Sequence, residues 1–106
     1  MPIHHGDLEL SLLTLLEGGE RYGLDLAKEL HTLTGGDLAL NAGTLYPALH
    51  RMEQRGWLQS ESRPSSRGGH PLRYYRLTPA GQAALEAKRE AYHRWHQGLT
   101  ERWGNR

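Results

Sequence analysis

Three sets of residues in this chain have types and spacings that could do chemistry. The first is Glu90, His93 and His96 in "EAYHRWH", at i, i+3 and i+6. A carboxylate and two imidazoles are metal-ligand types. In helical di-iron bundles, however, Glu-x-x-His is doubled and backed by two further glutamates on other helices. Nothing else in the sequence supplies that set, so these histidines read as residues at or beside a helix–helix interface. The second set is Thr44, Tyr46, His50 and Arg51 in "GTLYPALHRMEQRGW". These are hydroxyls, an imidazole and a guanidinium, the donors that meet base edges and phosphates. The third is Arg63, Arg67 and Arg73, set in and around "PSSRGGHP". Neither a G-x-S-x-G turn nor a P-loop is present. With no cysteine, thiol catalysis, thiolate metal sites and disulfides are excluded. An enzyme is not expected, and neither is a metal or cofactor.

Charge is divided unevenly along the chain. The formal net charge is +1. Residues 1–40 carry seven acidic and two basic side chains, whereas residues 41–76 carry six arginines and two acids. A basic middle in a nearly neutral chain points to a local patch, and nucleic acid is its usual partner. A solvated arginine-rich face is the plainer alternative. The N-terminus has no basic region followed by an apolar run, and no stretch approaches the ~20 apolar residues of a membrane span. A soluble cytoplasmic protein is expected.

The elements that must position these residues follow from periodicity. Leu8, Leu12, Leu15 and Leu16 have helical spacing in residues 7–17, with Asp7 as a cap and Gly18-Gly19 as a stop. Leu26, Leu30 and Leu33 define a second short helix over 22–33. Asn41 is an N-cap for a third helix, 41–55, whose inner stripe is Leu45, Ala48, Leu49 and Met52. Pro47 is expected in its first turns, and Gly56 at its C′ position. The period then changes to two in "WLQSESR" and "LRYYRLT", giving a β-hairpin over 57–78. Thr78 and Pro79 start a last helix, about 37 Å long if it runs to residue 103.

Helix, helix, helix, hairpin and long helix make a mainly α fold with a β-hairpin. It is a winged helix-turn-helix over 1–78 followed by a C-terminal dimerisation helix over 79–106. The third helix would enter the major groove, and the hairpin would be the wing. With the apolar stripe inward, Gly43, Thr44, Tyr46, Pro47, His50, Arg51 and Gln54 face out. Their face lacks acids near its start, unlike an ordinary solvated face. In the last helix Leu85, Tyr92 and Leu99 recur every seven residues, with Trp95 and Trp103 near the intermediate positions. Such a stripe needs a partner, and a homodimer is expected through these five residues. Folding back on its own domain is the alternative.

"GTLYPALHRMEQRGWL" followed by "RYYRLTPAGQAAL" resembles the PadR family of bacterial transcriptional regulators, as do "HG" (His5-Gly6) and "RYGLDLAKEL" (21–30). Met52 replaces the family's usual Leu or Ile, a volume-conserving swap. With one helix after the wing, the chain is similar to the short subfamily. The resemblance implies a homodimeric repressor of double-stranded, palindromic operators. Thr44, Tyr46 and Pro47 fall on the family's recognition-helix motif, and Asn41, His50, Arg51 and the wing residues Arg63, Arg67 and Arg73 complete the expected DNA-binding set. Some relatives bind flat aromatic molecules between tryptophans at the dimer interface. That makes Trp95 and Trp103 candidate effector residues, with packing at the interface as the alternative role. Two other classes remain open on the residues alone: a protein-interaction module docking through the acidic first third, and a His/Glu metal-binding protein.

Overall fold

A computed structural model describes residues 5–35, 42–66 and 68–104. The elements run α1 (His5–Glu17), β1 (Arg21–Tyr22), α2 (Gly23–Leu33), α3 (Ala42–Gln54), β2 (Leu58–Arg63), β3 (Leu72–Leu77) and α4 (Pro79–Trp103). The three strands form one antiparallel sheet in the order β1-β3-β2. The winged arrangement is therefore present, with an edge strand that periodicity did not predict. Two residues are too short to display a period, and β1 exists because Arg21 and Tyr22 pair with Tyr75 and Tyr74.

Leucines from every helix meet in one core. Leu8, Leu12, Leu13 and Leu16 of α1 pack with Leu26 and Leu30 of α2 and with Leu45, Ala48, Leu49 and Met52 of α3. Leu58, Tyr75 and Leu85 complete it. Full burial of one leucine contributes about 1.5–3 kcal/mol relative to exposure, so α1, with four of them, is the spine of the domain. Three expectations need correcting. On α1 the fourth core leucine beside Leu8, Leu12 and Leu16 is Leu13 and not Leu15, which is only partly buried; on α2 Leu33 is exposed. Asp7 lies inside α1, which begins at His5, and so is not its cap.

Two local signals fix the frame around the wing. At the end of α3, Gly56 takes φ +80°, donates to the Glu53 carbonyl, and Trp57 donates to that of Met52. This is a Schellman motif, and it turns the chain directly into β2. At the start of α4, Thr78 Oγ1 accepts from the Gly81 amide at 3.0 Å and donates to the Gly56 carbonyl. Pro79 follows at N1. Gly81 is required by contact: a Cβ there would lie 2.0 Å from the Trp57 carbonyl oxygen. "TPAG" thus locks α4 against the α3–β2 corner.

Pro47 is not among the first unbonded donors of α3. It is the sixth residue of the helix, where its missing N–H deprives the Gly43 carbonyl of its i+4 donor.

Candidate nucleic-acid interface

At 100° per residue, burial of Leu45, Ala48, Leu49 and Met52 divides the rest of α3 into three lines. Gly43, Pro47, His50 and Gln54 form the outermost ridge. Thr44 and Arg51 lie on one flank, Tyr46 and Glu53 on the other. The second flank faces the wing: Tyr46, His50, Glu53 and Gln54 line an open groove with Arg73 and Tyr75 of β3.

The sheet register decides which wing residues share that groove. Ser62 pairs with Arg73 and Ser60 with Tyr75, whereas Arg63 pairs with Leu72 and Glu61 with Tyr74. Because side chains alternate across a strand, Arg73 lies on the α3 side and Arg63 on the opposite face. Of the wing arginines expected at DNA, Arg73 is thus beside α3, whereas Arg63 is held on the far face by Glu20 and Glu61. Asn41 and Arg67 lie outside the described residues.

Tyr46 is anchored as well as exposed. A Cβ on Gly23 would meet its ring carbon Cε1 and its hydroxyl at 2.7 Å, so the ring rests on the first residue of α2. A larger residue in "YGL" would force the Tyr46 ring to shift. Arg73 donates to Ser60 Oγ at 3.0 Å, and Ser60 donates to Glu53 Oε2 at 2.6 Å. Glu53 and Ser60 were not singled out in the sequence, although Glu53 at i+7 from Tyr46 is the acid that borders the groove. Burial pushes the Tyr75 phenol above its ordinary value, so it stays neutral.

Four of the seven acidic residues of the first third, all glutamates, are paired within the chain. Glu9 takes Arg55 at 2.6 Å and Lys88 at 3.5 Å; Glu17 takes Arg89, Glu20 takes Arg63, and Glu29 takes Arg21. The Arg55 and Lys88 cations also approach the Trp57 ring, at 5.1 and 5.3 Å from its centre. Among the described residues, Arg51 and Arg73 are the arginines of the central segment without a carboxylate partner. Positive charge not cancelled internally therefore borders α3 and its groove.

On α4, Leu85 is fully buried in the domain's own core. It is corrected from interface residue to core residue, because its face is already covered by this chain. Tyr92, Trp95 and Trp103 are exposed and Leu99 is partly exposed. Tyr92 stacks on His96 with ring centres 5.9 Å apart. Among the described residues no three His, Cys, Asp or Glu side chains converge on a metal-binding point, and no helix is long and apolar enough to cross a membrane.

A three-helix unit, a hairpin beside its third helix and a groove between them that holds Arg73 define a winged helix-turn-helix. Residues 12–87 match the Transcriptional regulator PadR-like family, and the chain belongs to it. It is thus a transcriptional regulator of the DNA-binding, winged-helix kind and not an enzyme. Over 52 residues it is 52% identical to Transcriptional regulator Rv3488 of Mycobacterium tuberculosis, a match covering 49% of this chain and 47% of that relative. The chain therefore matches about half the length of this curated relative. Among solved structures, a PadR-like transcriptional regulator from Bacillus cereus superposes with a TM-score of 0.79 at 25% identity, covering 95% of both chains. A PadR family transcription regulator from Clostridium difficile superposes with a TM-score of 0.77 at 28% identity, covering 92% of this chain and 98% of that one.

Proposed function

We propose that this chain is a homodimeric repressor that reads a palindromic operator with α3 and the wing. The observation that supports this best is the groove in which Tyr46, His50, Glu53 and Gln54 meet Arg73, an arginine without an ion-pair partner among the described residues. In this reading Thr44, Tyr46 and Pro47, with Asn41 at the helix start, approach base edges. Gly43 lets the backbone come close, and the helix N-terminus favours a phosphate. His50, Arg51 and Arg73 take phosphates, with Arg67 at the wing tip.

The dimer forms through the second half of α4, where Tyr92, Trp95, Leu99 and Trp103 present an apolar surface. A two-fold pair would space two α3 helices by about one turn of DNA, ~34 Å, or a multiple of it. Internal pairing of Glu9, Glu17, Glu20 and Glu29 leaves less free acid in the first third for the interaction-module reading. Trp95 and Trp103 are each 64% exposed. They lie eight residues apart, about 12 Å along the helix, so a flat aromatic effector held between tryptophans would need the second copy's helix. Its binding would release the operator by favouring one dimer state.

The test is an anisotropy titration against the duplex upstream of the protein's own gene, with a scrambled duplex, at two salt concentrations. Wild type should bind selectively, and log K should fall steeply with log salt. Arg73→Ala should weaken both duplexes and lower the salt slope by about 1. Tyr46→Phe keeps the ring on Gly23 and should weaken binding through the hydroxyl alone. Equal affinity for both duplexes in the wild type would sink the reading.

A further inference from the structure

Arg63 is engaged on three sides. Its guanidinium donates to both carboxylate oxygens of Glu20, at 2.7 and 3.0 Å, and also reaches Glu61. Its central carbon lies 4.4 Å from the centre of the Tyr74 ring. Glu20 belongs to the link between α1 and β1. Tyr74 belongs to β3, and its ring tilts against Tyr22 of β1 at 5.7 Å. One side chain at the end of β2 therefore joins both wing strands to the α1–β1 link and reaches the edge strand through Tyr74.

Its place in the ladder makes this geometry consequential. Arg63 pairs with Leu72, the rung from which residues 64–71 depart. Whatever fixes this rung sets the direction in which the wing tip leaves the sheet. A planar guanidinium bonded bidentately to one carboxylate and stacked on a ring is held in orientation as well as position. A phosphate approaching Arg63 would also have to displace two carboxylates and bear their repulsion, whereas Arg51 and Arg73 present no such competitor among the described residues.

We propose that Arg63 is a positioning residue. With Glu20 it clasps the base of the wing to the α1–β1 link and sets the angle at which the tip meets DNA, without touching DNA itself. The proposal rests on the DNA-binding reading above and deepens it.

Glu20→Gln separates the two roles by sign. Were Arg63 a phosphate contact, Glu20→Gln would remove an acid and release the guanidinium, and affinity would rise. With a clasp, Glu20→Gln and Arg63→Ala each weaken operator binding by roughly two- to fivefold. The double variant then loses no more than the worse single one, because both remove one interaction. The salt slope of Arg63→Ala stays at the wild-type value. A slope lower by about 1 in Arg63→Ala, or tighter binding in Glu20→Gln, overturns the proposal. Amide exchange in the free protein supplies a readout without DNA: exchange at residues 72–74 should quicken in both variants, and unchanged protection in both overturns the clasp. If wild type shows no preference among duplexes, the DNA reading fails and the positioning role fails with it. The exchange result would still report the tether, so the two failures are distinguishable.

Discussion

The two halves of α4 carry one apolar stripe through different surroundings. Leu85, Tyr92 and Leu99 are seven residues apart, and Trp103 falls on nearly the same line. In the first half the domain covers that line. Gly81 fits against the Trp57 carbonyl, Leu85 is fully buried, Lys88 reaches Glu9, and Gln82 and Arg89 bond Glu17 of α1. In the second half the described contacts run along the helix itself. Arg94 pairs with Glu90, Thr100 donates to the His96 carbonyl, Gln97 donates to Glu101, and Tyr92 stacks on His96. Gly98 sits in this half, where it costs about 1 kcal/mol relative to alanine. Local contacts of a few tenths of a kcal/mol each do not offset the exposure of two tryptophans and a tyrosine. The difference teaches that equal periodicity hides unequal work: one half completes a domain, and the other leaves its aromatic residues exposed.

That contrast is broken most severely in the first half. Leu85→Ala removes a fully buried side chain between α4 and the core, and should cost about 2–5 kcal/mol of folding stability. Urea unfolding, followed by circular dichroism, reads it as a lower midpoint at unchanged slope. A variant within about 0.5 kcal/mol of wild type would mean that α4 is not sealed to α1. Leu99→Asp is the counterpart in the second half. It should leave the helical signal of the domain nearly intact and raise the dimer dissociation constant on the order of 100-fold, because an unpaired carboxylate would be trapped between helices. Sedimentation velocity across a dilution series measures it. An intact dimer would remove the second half of α4 from the interface; unfolding of the whole chain would erase the distinction between the halves.

The misassignment of Leu85 shows where sequence reading stopped. A heptad tells which residues share a face, and Leu85, Tyr92 and Leu99 do share one. It does not tell what covers that face, which depends on how far α1 extends alongside. The same limit applies to Arg63 and Arg73. Period two places residues on alternate faces of each strand, but relating the strands requires the register. An eight-residue connection such as 64–71 does not fix register as a two-residue turn would. Where a residue type has one dominant local use, the sequence was sufficient: Gly56 at a helix C′, Thr78-Pro79 at a helix start, and the inner stripe of α3. The edge strand β1 was invisible because pairing with β3, and not its own pattern, makes it a strand.

The smallest expected effect lies at the tether that ends the supported half. Glu17 of α1 accepts from Arg89 at 3.2 and 3.3 Å and from Gln82 at 2.9 Å. The hydrogen bond from Arg89, then that from Gln82, holds its carboxyl below the ordinary value of 4.5. The folded state therefore binds this proton less readily than the unfolded chain does. Its contribution to stability is present at pH above 4.5 and disappears as pH falls through the lowered folded value. Glu17→Gln should make the protein slightly less stable at neutral pH, and the urea midpoints of variant and wild type should converge in acid. Glu20, lowered by Arg63, titrates in the same direction, so the variant keeps part of the acid sensitivity. A constant gap between the two midpoints from neutral pH down through the carboxylate range would show that Glu17 supports α4 by packing alone. The contrast between the halves would then rest on Leu85 and Gly81 and not on charge.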